Sequence, residues 1–239
     1  MEYRMVPLGT SASRATALHA HAGGQLFQVT QGALALQAGA VRALLPAGHL
    51  GWLPPHLAHA ASGHGALQGC SLYLAAAQAA QWPATLQIVR ATPLLTALLD
   101  ALQQPVRDAA SHLAVLAEAW QRAPQLPLCV PVPLSPRLQP VLAALLARPE
   151  QAPDLDEAAA LAHCARRSFS RLFRADTGLS YADWRQQARL LLALTELAAG
   201  SSATRAALSA GYCSPSAFSQ AVRKYLGATP GEVVRGGQQ

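Results

Sequence analysis

The sequence predicts an α+β protein with three parts: an N-terminal β-barrel, a helical connector, and an all-α C-terminal domain that contains two helix-turn-helix units. Three observations support this prediction. Short apolar segments between Gly and Pro turns fill the first 90 residues, helical periodicity starts at Pro93, and a proline-rich stretch at 126–134 precedes an entirely helical region. With 239 residues, the chain is long enough for one large or two medium domains.

The N-terminal apolar segments have the length and spacing of strands in a sandwich or barrel. Helical periodicity follows, and Leu113, Leu116 and Trp120 share one helical face. These helices could pack against the barrel or against a second subunit, and the sequence leaves both arrangements open. The predicted strands are 25–30, 33–37, 50–53, 67–74 and 86–89, and the predicted connector helices are 93–102 and 108–122.

Residues 126–134 contain three prolines and no charge, which predicts an extended linker because proline fixes φ and lacks an N–H donor. Helix-capping patterns follow it: Asp154 and Glu157 form a capping box, and Ser214-Pro215 is a favourable helix start. The predicted helices are 136–147, one that starts at Asp154, 166–176, 181–199, 202–210 and 214–226. The resulting boundaries are 1–90 for the barrel, 91–125 for the connector and candidate dimerisation region, 126–134 for the linker, and 135–239 for the helical domain.

Composition limits the classes of protein to consider. The chain is 51% hydrophobic and 13% charged, which excludes a disordered or collagen-like polymer. No apolar run approaches the roughly 18–20 residues of a membrane-spanning helix, and we find no signal-peptide pattern, so we expect a cytoplasmic protein without a membrane partner. The four cysteines lie far apart and are predicted to be reduced, structural thiols.

Positive charge concentrates in the helical region, where residues 135–239 carry a net charge of +4 out of a total of +6. Phe169, Leu172 and Phe173 form an apolar helix face there, and arginines project elsewhere. A short helix precedes this one after a tight connection, which is the layout of a helix-turn-helix whose second helix enters the DNA major groove. The predicted DNA-contacting residues of this first unit are Arg166, Arg167, Ser168, Ser170, Arg171 and Arg174.

The same layout repeats downstream, where a helix at 214–226 has an apolar face that includes Phe218 and Val222. A helix of about 19 residues between the units spans roughly 28 Å, so the two recognition helices could enter successive major grooves about 34 Å apart. A plain helical bundle with a solvated arginine face is the alternative for one such helix, whereas two units with matched spacing favour DNA binding. The predicted DNA-contacting residues of the second unit are Ser214, Ser216, Ser219, Gln220 and Arg223.

Residues 155–234 resemble the DNA-binding domain of the AraC/XylS family of transcription regulators. Ala165 and Arg166 depart from the family pattern, which usually has serine and often proline there, and Val222 and Leu226 replace common phenylalanines. The chain contains no asparagine, so direct base readout would depend on arginine, Gln220 and serine. The resemblance implies double-stranded promoter DNA as a partner, RNA polymerase as a further partner, and a homodimer. The matching motifs are 167–173, 177–180, 184–189, 207–212, 214–218 and 227–230.

Six of the eight histidines lie between positions 19 and 64. His19 and His21 would face the same side of a strand because they are two residues apart. Their spacing to later residues resembles the two cupin motifs HxH-x3-E-x6-G and G-x5-P-x4-H, which implies that the barrel is cupin-like. In that resemblance the metal-site positions are occupied by His19, His21, Gln25 and His59.

Gln25 stands where the cupin motif has glutamate, so a neutral amide oxygen replaces a carboxylate. A site dominated by three imidazoles suits Zn²⁺, Ni²⁺ or Cu²⁺, and we expect Ni²⁺ or Zn²⁺. The alternative is a cupin that has lost its metal and binds a small organic effector instead. The histidine pattern is also similar to a subgroup of AraC-type regulators that control efflux genes, including a nickel-associated one.

The leading hypothesis is therefore a regulator, not an enzyme, whose barrel senses a divalent metal or a small molecule and whose helical domain binds promoter DNA. A metal-dependent cupin enzyme with a fused helical domain is the main rival. Catalysis usually needs an acid or base beside the metal, and residues 1–90 contain one acid, Glu2, outside the motif. A DNA-binding protein with a purely structural barrel is the third hypothesis.

Overall fold

A computed structural model describes residues 3–9, 15–126 and 128–235. This part of the chain contains an antiparallel N-terminal sheet followed by helices, which agrees with the predicted α+β class. The strands are β1 Tyr3–Leu8, β2 Gly24–Ala38, β3 Val41–Pro46, β4 His49–Leu53, β5 His59–Leu74, β6 Gln87–Arg90 and β7 Cys129–Pro131.

The strand pairing differs from a closed barrel. The seven strands follow the order β1-β5-β2-β3-β7, and β4 joins β2 to β6 as a branch. Along this path the described sheet is open, where the sequence analysis predicts a cupin-like barrel. Strands β2 and β5 are long, and each belongs to two sections of the sheet. The outer strands of these sections do not pair with each other, so the sheet does not close.

The long strands β2 and β5 are central to this arrangement. Strand β2 merges two predicted strands, because the chain continues through an irregularity at Gln31 instead of turning. Gly32 makes this possible: its φ is 72°, and a Cβ there would lie 2.6 Å from the His64 carbonyl oxygen. The N-terminal half of β2 pairs with β4, and the C-terminal half pairs with β3.

The helices agree closely with the sequence prediction. Asp154 and Glu157 form the predicted capping box, Ser214 caps its helix through its hydroxyl, and Gly178 and Gly227 end their helices in the left-handed conformation. The helices are α1 Ala76–Ala79, α2 Pro93–Leu102, α3 Ala109–Arg122, α4 Gln139–Ala147, α5 Leu155–Leu161, α6 Arg166–Thr177, α7 Tyr181–Ala198, α8 Ala203–Ser209, α9 Pro215–Leu226 and α10 Pro230–Arg235. Short 3-10 helices at Pro136–Leu138 and Pro149–Gln151 flank α4.

Two apolar cores cover the two faces of this sheet system. One core joins β4 to the connector helices α2 and α3 through Leu95, Leu99 and a cluster of tryptophans. Trp82 stacks on Trp52 with ring centroids 4.6 Å apart and lies 5.4 Å from the Trp120 ring. The connector helices therefore pack against the sheet, which is the first of the two arrangements that the sequence left open.

The second core continues from the sheet into the C-terminal helices without interruption. Strand β7 lies inside the predicted linker and pairs with β3, so that segment is extended, as predicted, and also belongs to the sheet. The indole N–H of Trp184 on α7 donates to the Pro131 carbonyl over 2.6 Å. Among the described residues, no helix combines the length and apolarity needed to cross a membrane.

Candidate metal site and DNA-binding surface

Three of the predicted ligands, His19, His21 and His59, converge in the structure. Their candidate ligand atoms all lie within 4.8 Å of one another. The ring centroid of His59 is 4.3 Å from that of His19 and 5.1 Å from that of His21. His19 belongs to an isolated bridge and not to the predicted strand, and its backbone pairs with His59 in both directions, at 2.9 and 2.8 Å.

Each of the three rings is oriented by the same local hydrogen bond. The Nδ1 atoms of His19, His21 and His59 lie 2.9, 2.7 and 2.8 Å from the carbonyl oxygens of Ala17, Gly23 and Leu57. Because a carbonyl oxygen only accepts, Nδ1 must carry the proton in each ring. A neutral ring in this orientation presents its Nε2 lone pair away from that carbonyl, and such backbone partners commonly orient ligating histidines.

Gln25 occupies the fourth predicted position and contacts the cluster. Its Oε1 atom lies 3.1 Å from His21 Nε2, and its amide N–H donates to Ser71 Oγ over 3.2 Å. In this amide orientation a lone pair on Gln25 Oε1 faces the lone pair on Nε2 of the neutral His21 ring. Two ligand atoms about 2.1 Å from one ion in a tetrahedral site lie roughly 3.4 Å apart, so these two atoms are close enough to bind the same ion.

The cluster spans a gradient from solvent to interior. His19 is exposed, His21 is half-buried, and His59 is 2% exposed. Burial lowers the pKa of His59, and the neighbouring His19 and His21 lower it further. A lowered pKa keeps the ring neutral at physiological pH, which is the form that binds metal.

A cavity of about 260 Å³ opens beside the cluster. His19, His59, Gln25 and Ser71 lie on its polar side, and its apolar side includes Phe27. Strands β1, β2 and β5 contribute most of this lining, and the alternation along each strand explains why these side chains share one face.

Three other histidines of the N-terminal region, His49, His56 and His64, lie outside the cluster, and His56 is exposed. His64 lies between Gly63 and Gly65, a pattern that predicts a loop, but in the structure it belongs to β5, and its Nε2 lies 3.4 Å from Ser62 Oγ. His49 is buried in β4, where its Nδ1–H donates to the Ala47 carbonyl over 3.0 Å. Burial is the main cause that lowers the pKa of His49 to about 4, so this ring is neutral in the folded protein at pH 7.

The first predicted DNA-contacting set lies on the outer face of α6. Phe169 and Phe173 are fully buried beneath it. Arg166 is ion-paired with Asp156 at 3.2 Å, and the Ser170 hydroxyl donates to the Arg166 carbonyl over 3.0 Å, so these two residues are partly committed within the protein. All six predicted side chains are exposed: Arg166, Arg167, Ser168, Ser170, Arg171 and Arg174.

The second set lies on α9 in a similar arrangement. Phe218 and Val222 are buried against the core. Ser214 is the helix cap and accepts from the Ala217 amide over 3.1 Å, which gives it a structural task at the start of the helix. Ser216, Gln220 and Arg223 are exposed, and Ser219 is half-buried.

Helix α7 holds the two units together through two arginines that the sequence analysis did not single out. Arg185 donates to the Pro153 carbonyl over 2.7 Å, just before α5 begins. Arg189 donates through Nε to the Ala210 carbonyl over 2.6 Å at the end of α8, and its guanidinium lies 5.0 Å from the Tyr212 ring centroid. Their spacing of four residues on one helix is the sequence signal that places both on one face.

Comparisons with known proteins agree with this geometry. A family model described as a helix-turn-helix domain matches residues 158–236. The chain is 26% identical over 223 residues to the HTH-type transcriptional regulator NimR of Escherichia coli (strain K12), and the match covers 91% of this chain and 81% of NimR.

Two solved DNA-binding domains are also similar to the C-terminal region. The DNA-binding domain of AdpA, solved with a target DNA, is 33% identical, covers 41% of this chain and 88% of that chain, and has a TM-score of 0.38. An AraC-type regulator from Chromobacterium violaceum is 26% identical, covers 44% of this chain and 94% of that chain, and has a TM-score of 0.39. The family-model match and the similarity to NimR, together with the two exposed helices α6 and α9, identify residues 158–236 as a helix-turn-helix domain and indicate a DNA-binding transcription regulator.

Proposed function

We propose that this regulator senses a divalent transition metal, Zn²⁺ or Ni²⁺, at His19, His21 and His59, with Gln25 as a weak fourth ligand. The observation that carries the proposal is the shared orientation of the three rings, in which each Nδ1–H is bound to a backbone carbonyl. One candidate ligand nitrogen from each of the three rings lies within 4.8 Å of the other two, beside a cavity that His19 and His59 line. A bound ion would link the segment around His19 to β5, because His19 and His59 would coordinate the same ion.

The proposed output is a change in promoter binding by the two helix-turn-helix units. The sheet that bears the histidines and the C-terminal helices share one apolar core, which supports mechanical coupling between them. A ligand shifts such an equilibrium only if it binds one arrangement more tightly than the other. A homodimer and contact with RNA polymerase belong to the same proposal, as partners expected of a regulator of this type.

Metal titration of the full chain tests the proposal. We expect one Zn²⁺ or Ni²⁺ per chain by elemental analysis and calorimetry, and an affinity that falls as the pH drops below about 6.5, because only neutral imidazole binds metal. His21→Ala should abolish this binding, whereas His64→Ala, in the same sheet but outside the cluster, should retain it. Equal binding by wild type and His21→Ala would contradict the site.

The regulatory output needs a DNA readout. Operator fragments can be selected from a random DNA pool with the full chain and used in a mobility-shift assay with and without metal. We expect the operator affinity to change with metal in wild type and in His64→Ala, but not in His21→Ala. Metal binding without any such change would leave the histidine cluster a structural site and contradict metal sensing.

A small organic effector without metal is the second candidate, and the cavity beside the histidines favours it. In that case the three Nε2 atoms would accept hydrogen bonds from the effector. A thermal-shift screen of metal-free protein distinguishes the two candidates, since an organic effector should then stabilise the protein without added metal.

A further inference from the structure

The cavity beside the histidine cluster has an unusual charge balance for a metal site. Among the residues that the structure describes, none that lines it is acidic, and the sequence contains no Asp or Glu between Glu2 and Asp100. Three imidazoles and an amide are neutral ligands, so a divalent ion held there would keep its full charge in a half-buried place. Buried charges in proteins are normally paired, so the compensating anion must come from outside this part of the chain.

Two further groups that recognise anions lie near the cluster: Tyr73, which lines the cavity, and Arg4, its cross-strand neighbour on β1. The Tyr73 ring lies 5.6 Å from the His21 ring, and the Arg4 guanidinium lies over Tyr73 at 4.9 Å from its centroid. Arg4, Tyr73 and Gln25 occupy one cross-strand row on β1, β5 and β2. Within the described residues, the Tyr73 hydroxyl has no hydrogen-bond partner, and no carboxylate pairs with Arg4.

Away from the histidines the cavity is lined by Val6, Leu8, Phe27, Leu34 and Leu67. At about 260 Å³ it is smaller than the roughly 300–1,000 Å³ of pockets for drug-sized ligands. The space therefore suits a small molecule with an anionic head and a short apolar body.

We propose that the regulator binds a small organic carboxylate together with the metal, as a ternary complex. The carboxylate completes the coordination of the ion held by His19, His21 and His59, and Arg4 attracts it from its position over Tyr73. The apolar body of the ligand fills the cavity towards Phe27 and Leu34. This inference rests on the proposed metal-binding function and goes beyond it by naming the chemical class of the second ligand.

The test uses the full chain loaded with Co²⁺, whose visible absorption reports changes in the coordinating atoms. Acetate, butanoate and hexanoate are titrated in turn, and butanamide serves as the uncharged control of matched shape. We expect the carboxylates to change the Co²⁺ spectrum and butanamide to leave it unchanged. Affinity should rise up to about fourfold for each added methylene that enters the cavity, which corresponds to about 0.8 kcal/mol per buried methylene.

Two variants separate the head contact from the metal. Arg4→Gln should weaken butanoate binding severalfold, less so at high salt, without changing Co²⁺ affinity, whereas Arg42→Gln, exposed on β3, should have no effect. If the chain does not bind Co²⁺, both the proposed function and this inference fail. If it binds Co²⁺ but responds equally to butanoate and butanamide, or to neither, the inference is overturned while the metal site stands.

Discussion

The Arg90 guanidinium donates a hydrogen bond to the Leu226 carbonyl, 136 positions further along the chain. Arg90 ends β6 in the N-terminal sheet, and Leu226 ends α9, the second recognition helix. The last carbonyls of a helix have no partner within the helix, and they attract cations. This contact therefore joins the sheet that carries the candidate sensor site directly to a DNA-binding element.

Removing that contact should loosen the end of α9. We expect Arg90→Ala to increase amide hydrogen exchange in the last turn of α9 and in Gly227 by about fivefold, the equivalent of about 1 kcal/mol for a partly exposed, charged hydrogen bond. Hydrogen-exchange mass spectrometry measures this directly. Arg42→Ala, on the exposed side of β3, is the control. Equal exchange rates in the two variants would show that the contact between Arg90 and Leu226 does not stabilise the end of α9.

DNA affinity should depend on the unpaired arginines of α6. We expect Arg167→Ala and Arg171→Ala each to weaken operator binding by about 1–3 kcal/mol if they contact bases, and to relax specificity at those bases. If they contact phosphates, binding should weaken evenly across sequences and the salt dependence should decrease. Arg122→Ala, which removes an arginine paired with Glu118 in α3, should leave the mobility shift unchanged. Operator binding by both α6 variants at wild-type strength would exclude the assignment.

Both helix-turn-helix units should be required for specific binding, because one unit supplies too few contacts for a preference of about 10³-fold or more over bulk DNA. We expect Gln220→Ala and Arg223→Ala on α9 to reduce operator affinity at unchanged stability. Footprinting of the wild type should show protection in two successive major grooves. Protection of a single groove would contradict this arrangement.

The turn of the second unit should tolerate no side chain at Gly211. Its φ is 80°, and a Cβ there would lie 2.8 Å from the Pro149 carbonyl oxygen. Gly178 is the matched control, with a φ of 76° and no atom within 4 Å of the added Cβ. We expect Gly178→Ala to lose about 1 kcal/mol through strain alone, and Gly211→Ala to lose at least about 1 kcal/mol more through the clash. Urea unfolding measures both, and equal losses would refute the close contact.

Stability should fall in mild acid because of His49. Its pKa is about 4 in the folded protein and 6.5 in the unfolded chain, so between these values the unfolded chain binds more protons. The contribution of His49 to the free energy of unfolding is therefore fully present above pH 6.5 and decreases as the pH falls towards 4. From pH 7 to pH 5 we expect a loss of about 2 kcal/mol from this group, which His49→Gln should remove and His112→Gln, half-buried on α3, should not. The same pH dependence in wild type and His49→Gln would contradict the prediction.

The helical half of this protein was largely predictable from the sequence, because its signals are local. The capping box at Asp154, the cap at Ser214 and the left-handed glycines at 178 and 227 each act within a few residues of their own helix. The spacing of His19, His21 and His59 also carried real information, although the sheet that brings them together is open and not the predicted barrel.

Only the tertiary structure decided the features that depend on distant partners. Strands β1, β3 and β7 were not predicted, because their pairing depends on neighbours far along the chain rather than on a clear pattern of their own. The roles of Arg185 and Arg189, the cavity beside the histidines, and the contact of Arg90 with Leu226 have the same origin. A helix satisfies its backbone hydrogen bonds within a few residues, whereas a sheet, a cavity and a contact between domains exist only when remote segments meet.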